Sequence, residues 1–540
     1  MSLTWTTHLI MVPVLLPLLC GALLVPVNES RHRLKFLVNL GSVLCLLAVA
    51  GRLAWMTDSG QWPQGIGVYL AANWAAPFGI ALAADRLAAL MLMLTALLAA
   101  GALLYALPRW SRIGVHFHSL FQFLLMGING AILTHDLFNL FVFFEVMLAA
   151  SYGLLLHGYN AARLRAGIQY IAINLAASLL FLIGVALIYA STGTLNMADL
   201  AARLPGVGAP DLALLKTGVA VLAIAFLVKS AMWPLGFWLP TTYAAASPPV
   251  AAMLVLMTKI GPYVILRVWL LAFSDTAGAA AGFSFDLLLL GGMATIVFGA
   301  AGMLASDAPA RLASYGAVVS SGILLAVIGY GQPSLVGAGL YYLLGSTLAL
   351  GAFMLLLELI ERIRSPGAAM LALTMEAFAV EESPGEPVGV GIPAALAFLG
   401  LSYAACALTI TGLPPLSGFV AKFSLFHALL NPAPSEAAPT AATWTLMALI
   451  LLSGLAAIIA LLRFGVRTFW AAGKIVPPHL PLTEVAPVCL LLAASVLLTV
   501  QAGPVMAYLT RTAQNLHHPD RYVGRVLSEP PVPGVQEDGR

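Results

Sequence analysis

The segment that decides the fold reads ALLKTGVAVLAIAFLVKSAMWPLGFWLPTTY and runs from Ala213 to Tyr243. It is apolar enough to enter a membrane, yet it carries Lys229 near its middle and Pro234 five residues later. A charge at the bilayer centre costs roughly 2.5–3.5 kcal/mol on insertion scales, so such residues usually face a bundle interior or hydrated cavity and mark an ion or proton path. Proline lacks an N–H and crowds the carbonyl four residues back, which predicts a kinked or broken helix. The segment therefore predicts an interrupted membrane helix with a buried charge.

Similar apolar segments recur along the whole chain. Of its 540 residues, 61% are hydrophobic and 9% are charged, and the mean hydropathy is +0.97. A soluble protein would carry about 25% charged residues. We therefore expect an all-α polytopic membrane protein with about fourteen transmembrane helices. The expected spans are 8–26, 34–56, 85–107, 115–134, 136–157, 166–191, 213–243, 248–272, 284–305, 309–330, 335–361, 393–430, 443–465 and 485–509.

Two of these spans are too long for one straight crossing of a hydrocarbon core of about 30 Å. They are 213–243 and 393–430, and the second contains Pro414 and Pro415. The sequence Pro-Leu-Gly-Phe from Pro234 resembles Pro-Leu-Ser-Gly-Phe from Pro415. Paired interrupted helices in two halves of a chain are typical of transporters built from inverted repeats. We predict two broken helices.

Composition and motifs exclude several classes of protein. The four cysteines lie in apolar runs without a CxxC pair, which predicts buried thiols and no iron–sulfur or zinc site. A phosphate-binding loop, a dinucleotide fingerprint and a nucleophile elbow are absent from the sequence. We therefore expect no cofactor, no metal, no nucleic-acid partner and no catalysis within this chain. Residues 8–26 lack a basic n-region and a cleavage site, so we expect a retained helix there.

Loop charges orient the protein. The loops after odd-numbered spans carry twelve basic residues: Arg31, Arg33, Lys35, Arg109, Arg112, Arg163, Arg165, Arg311, Arg362, Arg364, Arg467 and Lys474. The loops after even-numbered spans carry five: Arg52, Arg86, Arg203, Lys216 and Arg267. The positive-inside rule therefore predicts cytoplasmic odd loops and both termini outside the cytoplasm, in a bacterial inner membrane.

The chain divides into four predicted regions. Residues 1–134 are predicted to form N-terminal transmembrane helices, residues 135–430 a core that contains the buried charges described below, and residues 431–509 C-terminal transmembrane helices. Residues 510–540 are a polar tail that we expect to be disordered. The Gly/Pro-rich segment at about 365–392 is expected to be a flexible cytoplasmic connector.

Besides Lys229, three charged residues fall at membrane depth. Lys259 lies about ten residues, or roughly 15 Å, beyond the start of its span. Glu145 is nine residues past Asp136, and Lys422 follows the second proline break. One alternative is that these charges form structural ion pairs that only lock helices together. Glu145 can neutralise at most one of three lysines, and an unpaired buried ammonium releases its proton more readily than one in water, which favours a proton path.

Weaker candidates have equally ordinary interpretations. His427 follows Lys422 and could extend a relay, or it could be a buried, hydrogen-bonded histidine. Ser320 and Ser321 could line a hydrated helix face, although serines inside helices often bond back to a carbonyl. The pairs Asp85-Arg86 and His135-Asp136 lie at span ends, where helix capping is expected.

Five blocks in the core carry a recognisable pattern. They are His135-Asp-Leu-Phe-Asn-Leu-Phe-Val-Phe-Phe-Glu145, Phe226-Leu-Val-Lys229-Ser-Ala-Met-Trp-Pro234, Ser247-Pro-Pro through Thr258-Lys259-Ile-Gly-Pro-Tyr263, Asp307-Ala-Pro-Ala-Arg311 and Gly412-Leu-Pro-Pro-Leu-Ser-Gly-Phe-Val-Ala-Lys422. This pattern resembles the antiporter-like family shared by multisubunit cation/proton antiporters (Mrp, Mnh or Pha type) and respiratory complex I. The resemblance implies fourteen helices with two inverted five-helix repeats. It also implies that a Glu145–Lys229 pair biases a hydrated proton relay through Lys259 towards Lys422.

The chain departs from the family pattern at two places. Complex I relatives usually carry histidine where Gly236 stands, and many relatives have a histidine in the eleventh helix. Residues 335–361 contain none, and Gly345 occupies the corresponding region. A relay around Lys259 would therefore rely more on water and serine. Gly236 and the run from Ala244 to Pro249 resemble the D subunits of the Pha/Mrp type.

The resemblance implies the proton-translocating D subunit of a Na⁺/H⁺ or K⁺/H⁺ antiporter, with other antiporter subunits, protons, Na⁺ or K⁺ and membrane lipid as partners. The spans hold no acidic cluster suited to Na⁺ or K⁺, so we expect the cation to pass elsewhere in the complex. The alternative within the family is a proton-pumping membrane subunit of complex I or of a membrane hydrogenase. An alternative of another class is a membrane scaffold whose lysines serve only helix packing.

Overall fold

Apolar helices account for almost all of the computed structural model, which describes residues 5–275, 277–364, 393–432, 439–470 and 480–531. The helices in chain order are α1 (Trp5–His8), α2 (Val12–Leu24), α3 (His32–Asp58), α4 (Arg86–Ala106), α5 (Phe117–Leu133), α6 (Leu137–Leu156), α7 (Ala161–Thr192), α8 (Met197–Arg203), α9 (Ala209–Lys229), α10 (Leu239–Ala245), α11 (Pro248–Ala272), α12 (Phe285–Ala305), α13 (Pro309–Tyr330), α14 (Pro333–Glu361), α15 (Ala394–Thr411), α16 (Ser417–Leu430), α17 (Ala441–Phe469), α18 (Leu482–Val500), α19 (Ala502–Leu516) and α20 (Pro519–Leu527).

Length and composition identify the membrane helices. Within the described residues, twelve helices are long and apolar enough to span a membrane, and α2, α5 and α16 are shorter apolar helices. These helices confirm the predicted all-α, multi-pass membrane protein. The count of fourteen spans and the inverted repeats remain predictions.

The two overlong spans are each broken, as their prolines predict. In the first, α9 ends at Lys229 and α10 begins only at Leu239. In the second, α15 ends at Thr411 and α16 begins at Ser417. Each break leaves a backbone segment without regular helical hydrogen bonds, and at membrane depth such a segment is tolerated only where protein or a hydrated cavity surrounds it.

Helix α11 lies at the centre of the bundle. Every residue from Pro249 to Ala272 is buried, and the helix packs against α4, α9, α13 and α14. An all-round apolar sequence is what a helix in this position requires, because no face of it meets lipid or water. Lys259 and Arg267 are the charged exceptions on this helix, so both must find partners inside the protein.

Side-chain caps fix where two helices begin. Asp85 accepts a hydrogen bond from the backbone N–H of Ala88 at 2.8 Å, and Asp136 accepts one from Asn139 at 2.8 Å. Each carboxylate satisfies one of the N–H groups that lack a partner in the first turn. The capping expected at these two positions is confirmed.

A short hairpin, not predicted from the sequence, joins α3 to α4. Strand β1 (Gly67–Leu70) pairs antiparallel with β2 (Ala81–Ala84), in the register Gly67 opposite Ala84 and Leu70 opposite Ala81. The hairpin lies at the end of the bundle where α4 begins, and it shows no clear alternation of polar and apolar residues. Strands of four residues carry too little periodicity to be recognised in an apolar sequence.

The prediction of a disordered tail from residue 510 is wrong for the part that the structure describes. Helices α19 and α20 continue the chain to Leu527. Both are amphipathic: α19 buries Leu509 and Ala513, and α20 buries Tyr522 and Val526. In each helix the two residues are four apart, so they form one apolar face that packs on the bundle. The predicted connector at 365–392, Lys474 and residues 532–540 lie outside the described residues.

Candidate functional site

Lys229 is the last residue of α9, where the helix breaks. Its side chain is only 6% exposed, and Nζ lies 4.9 Å from the centroid of the Phe144 ring on α6. A cation over an aromatic face is stabilised by the ring quadrupole, by about 2 kcal/mol when both are desolvated. Nζ has no hydrogen-bond partner among the described residues. Lys229 therefore carries a buried charge that is only partly compensated.

Glu145 follows Phe144 on α6 and acts on Lys229 from a distance. Its Oε1 atom is buried and, like the lysine Nζ, has no hydrogen-bond partner among the described residues. The carboxylate nevertheless exerts a Coulombic attraction on Lys229. The two groups are thus electrostatically coupled without a hydrogen bond between them.

Side chains satisfy the backbone of the break after Lys229. The indole N–H of Trp238 donates to the carbonyl of Val228 at 3.3 Å. The hydroxyl of Ser321 on α13 donates to the carbonyl of Ser230, the residue after the lysine. Because side chains donate hydrogen bonds to these carbonyls, the broken segment is stabilised without regular helical hydrogen bonds. It also ties α13 directly to the end of α9.

Lys259 lies on the fully buried helix α11 and begins a chain of hydroxyl groups. Its Nζ donates to Ser320 Oγ on α13 at 2.6 Å, and Ser320 Oγ donates to Ser346 Oγ on α14 at 2.9 Å. Both distances are short enough for hydrogen bonds. All donors point the same way, from the lysine towards α14. The neighbouring Ser321 meets the Lys229 break, so two successive residues of α13 contact both lysine regions.

A small cavity lies where this hydroxyl chain ends. It has a volume of about 20 Å³ and lies between α13, α14, α15, α16 and α17. Ser320, Ser346, Tyr342 and Lys422 are among the residues that line it. A water molecule needs roughly 10–15 Å³ of such space and two to four polar partners, and this cavity offers both. The hydroxyl chain that begins at Lys259 and the Lys422 side chain therefore border the same cavity.

Lys422 lies at the second broken helix. It is 8% exposed, and its Nζ donates to the carbonyl of Thr411, the last residue of α15, at 2.6 Å. Gly412 follows with φ +81°, a left-handed conformation that lets the chain turn sharply at the end of the helix. The lysine thus satisfies a carbonyl that the break leaves free and faces the cavity at the same time.

The structure brings six of the seven predicted site residues into one connected group. Glu145, Lys229, Lys259, Lys422, Ser320 and Ser321 belong to it. His427 does not: its ring stacks on Phe423, away from the cavity. Five residues of α-helix correspond to a rotation of about 500°, so His427 points about 140° away from Lys422. Nearness in sequence was a poor guide there.

Sequence reasoning missed Ser346, which joins Ser320 to the cavity. It follows directly after Gly345, the residue already singled out because the family pattern has a histidine nearby. A hydroxyl residue next to that position inside an apolar run was a usable signal. Which face of α14 meets α13 could not be inferred from the sequence, because α14 is buried on nearly all sides.

Comparisons with known proteins identify the family of the chain. The family model described as NADH:quinone oxidoreductase/Mrp antiporter, transmembrane, matches residues 134–447, more than half of the chain. The chain is 52% identical over 531 residues to the D subunit of a "Probable K(+)/H(+) antiporter" of Rhizobium meliloti (strain 1021), covering 97% of this chain and 98% of that protein. It is 32% identical to the D subunit of a "Na(+)/H(+) antiporter" of Bacillus subtilis (strain 168), covering 97% and 100%.

A solved structure shows the same fold. A chain in the structure of the Mrp complex from Dietzia sp. DQ12-45-1b superposes with a TM-score of 0.81 at 27% identity, covering 97% of this chain and 100% of that one. Sequence and fold thus match the same group over nearly the whole length. The chain belongs to the NADH:quinone oxidoreductase/Mrp antiporter transmembrane family.

Proposed function

We propose that this chain is the proton-translocating D subunit of a multisubunit Na⁺/H⁺ or K⁺/H⁺ antiporter, and hence part of a transporter and not an enzyme. The observation that carries the proposal is the buried hydroxyl chain from Lys259 through Ser320 and Ser346 to the cavity at Lys422. A packing role for the lysines needs neither a directed donor chain nor a cavity of the size of a water molecule. The relatives named as D subunits of K⁺/H⁺ and Na⁺/H⁺ antiporters support the same interpretation.

The contacts suggest a role for each charged residue. Glu145 modulates how readily Lys229 holds its proton, since the two attract each other without a hydrogen bond. Lys259 passes a proton on: Ser320 Oγ accepts it while its own proton moves to Ser346, and the Ser346 proton, which is donated to the carbonyl of Leu343 at 3.3 Å, turns from that carbonyl into the cavity. Lys422 takes the proton from the cavity and ends or gates the path. In each transfer Ser320 and Ser346 each gain one proton and lose one, so both hydroxyl groups are unchanged and one proton reaches the cavity for each proton that leaves Lys259.

The serines take the place of the histidines found in many relatives. A Cβ at Gly236 would lie 2.1 Å from the carbonyl oxygen of Ala231, so this backbone has no room for a histidine there. At Gly345 the surroundings are less crowded: the nearest atom to the position of a Cβ is Ser417 Oγ, at 3.4 Å. Hydroxyl groups and water both donate and accept, so they can pass a proton without holding a charge. This supports a relay that depends on Ser320 and Ser346.

Coupling and partners follow from the same proposal. One proton crossing the membrane potential releases about 2.3 kcal/mol per 100 mV, which can drive export of a cation. Other antiporter subunits would supply the cation path, and the similarity to a chain of the Dietzia Mrp complex supports such an assembly. The membrane would be a bacterial inner membrane with both termini outside the cytoplasm, as the distribution of basic residues suggests.

The test measures Na⁺- and K⁺-dependent dissipation of a pH gradient in everted vesicles. The host lacks its own antiporters, and the whole gene cluster is expressed with Lys229 intact or changed to alanine. We expect cation-dependent exchange that Lys229→Ala abolishes at equal protein level. Lys216→Ala is the matched control, because Lys216 lies on the same helix near its other end and is not part of the group.

The alternatives give different results. A scaffold predicts that Lys229→Ala lowers the amount of complex without a selective loss of exchange. A redox-driven pump predicts a well-expressed complex that shows no cation-dependent exchange at all. Either result would overturn the antiporter proposal.

A further inference from the structure

One face of α11 continues from Lys259 towards the end of the helix. Lys259, Tyr263 and Arg267 are spaced four residues apart, so their side chains lie on the same side, and all three are buried. Four residues rise about 6 Å, which places Arg267 about 12 Å beyond Lys259 along the helix axis. The hydroxyl of Tyr263 donates to the carbonyl of Ile132 at 2.6 Å and accepts from Arg267 Nη2 at 3.1 Å. The face is therefore polar at every turn.

This face ends at a buried ion pair. Arg267 donates to both carboxylate oxygens of Asp85, from Nη1 at 2.6 Å and from Nη2 at 2.8 Å. Burial alone would raise the pKa of Asp85, but the adjacent Arg267 guanidinium outweighs it and holds the pKa below its ordinary value. The pair thus closes the end of the bundle with a fixed negative and a fixed positive charge.

A second cavity lies against the ion pair. It has a volume of about 30 Å³ and is lined by Asp85 and Arg267, by Thr512 and Asn515 of α19, and by Tyr522 of α20. The hydroxyl of Tyr522 and the Nε of Arg267 are buried and have no hydrogen-bond partner among the described residues. Buried polar groups of this kind are normally satisfied by water, and the volume suffices for about two molecules.

The interval between Lys259 and Tyr263 contains a break in the hydrogen bonding of α11. Pro262 has no N–H, so the carbonyl of Thr258 loses its helical partner. Beside it lies an apolar cavity of about 20 Å³, lined by Pro262, Tyr263, Leu324 and other hydrophobic residues. Its walls are apolar and favour a dry state, and hydrophobic constrictions of this kind gate by dewetting.

We propose that Tyr263, Asp85 and Arg267 form a port through which protons pass between Lys259 and the membrane face at the C-terminal end of α11. This inference rests on the proposed function. A proton that enters between α19 and α20 reaches the water of the cavity beside Asp85, and Tyr263 accepts it at its oxygen while releasing the hydroxyl proton that it donates to the Ile132 carbonyl. The released proton crosses the apolar cavity when water enters it, and the neutral Lys259 amine accepts that proton and passes it on to Ser320. Arg267 remains charged throughout.

The port has a direct test in the complete complex, by cation-dependent exchange in everted vesicles. Tyr263→Phe removes one hydroxyl and keeps the ring, and we expect the exchange rate to fall by about tenfold or more, since a positioned proton donor typically contributes at least that much. The matched control is Tyr341→Phe. Tyr341 is equally buried, its hydroxyl donates to a backbone carbonyl on another helix at 2.9 Å, and it is not among the residues that line the three cavities.

A second variant removes a polar group without breaking a hydrogen bond. Tyr522→Phe deletes the hydroxyl that faces the second cavity and has no hydrogen-bond partner among the described residues, so the complex should assemble in normal amount. We expect the exchange rate to fall by about threefold or more, because the water in the cavity loses one of its partners. The amount of assembled complex is measured for every variant.

The outcomes separate the port from the proposed function. Normal exchange in both Tyr263→Phe and Tyr522→Phe, with exchange lost in Lys259→Ala, overturns the port and leaves the antiporter proposal standing. Equal losses in Tyr263→Phe and Tyr341→Phe also overturn the port, because they indicate a packing role. Absence of cation-dependent exchange in the wild-type complex overturns the proposed function and the port with it.

Discussion

Replacing Ser346 by alanine removes one of the two hydroxyl groups of the Lys259 chain that line the cavity at Lys422. Ser346 accepts from Ser320 at 2.9 Å and lines the 20 Å³ cavity. A water in that cavity can replace the missing oxygen, at a cost of about 0–2 kcal/mol for holding it in place. Where no water replaces the oxygen, the loss of the hydrogen bond costs about 1 kcal/mol instead. A barrier raised by roughly 1–2 kcal/mol slows proton passage by roughly five- to thirtyfold.

The assay is the rate of cation-dependent exchange in everted vesicles that contain the whole complex. Ser314→Ala is the matched control: Ser314 is also a buried serine, on α13, but its hydroxyl donates only to the carbonyl of Ala310 at 2.7 Å. We expect exchange at the wild-type rate in Ser314→Ala and a five- to thirtyfold loss in Ser346→Ala. A rate within about twofold of wild type in Ser346→Ala, with Lys259→Ala inactive, would refute the serine path.

Three further changes test other parts of the structure. Glu145→Gln removes the charge that attracts Lys229, and we expect a shift in the pH dependence of exchange at an unchanged amount of complex, which Asn139→Ala on the same helix should not produce. Gly236→Ala places a Cβ 2.1 Å from the carbonyl of Ala231, and we expect a loss of roughly 1–3 kcal/mol in stability, seen as a lower melting temperature in detergent. Burial and the charge of a nearby arginine lower the pKa of His135 to about 3, below its ordinary value of 6.5, so the unfolded state binds the extra proton between these values. Stability is then lost as the pH falls below 6.5, by up to about 1.4 kcal/mol per pH unit, and a melting-temperature series for His135→Gln should be flatter over that range.

The four buried charges were predictable because a charge in an apolar segment stands out from its surroundings. The two breaks were predictable because proline removes a donor and crowds a carbonyl, whatever the surrounding fold. Both signals are local in sequence. They identified Lys229, Lys259, Lys422 and Glu145 without any information on packing, and the role of these four residues in a relay remains a prediction.

The sides on which neighbouring helices contact each other were not predictable. Ser346 and Ser320 are 26 residues apart, and Asp85 and Arg267 are 182 residues apart, so their contacts depend on how helices of uniform hydrophobicity pack. A sequence that is apolar on every face contains little information about rotation around the helix axis. His427 shows the opposite error, since it was near Lys422 in sequence and yet lies on another side of the helix.

The C-terminal tail was wrongly predicted to be disordered because its average composition is polar, although a few apolar residues recur at helical spacing. Residues 502–527 are polar on average, yet they bury Leu509, Ala513, Tyr522 and Val526 at helical spacing. Arg511 also pairs with Asp58 at 2.9 Å, which holds α19 against the end of α3. Periodicity, and not mean polarity, decides whether such a segment folds.

The adjacent hydroxyls of α13 have a mechanical consequence. Ser320 accepts from Lys259 and Ser321 donates to the carbonyl after Lys229, and successive residues of a helix point about 100° apart. Turning α13 by roughly 20° about its axis moves every Cα by about 0.8 Å, which is enough to lengthen both hydrogen bonds at once. Both lysine regions therefore contact one helix, and a rotation of α13 would change the hydrogen bonds at both of them together.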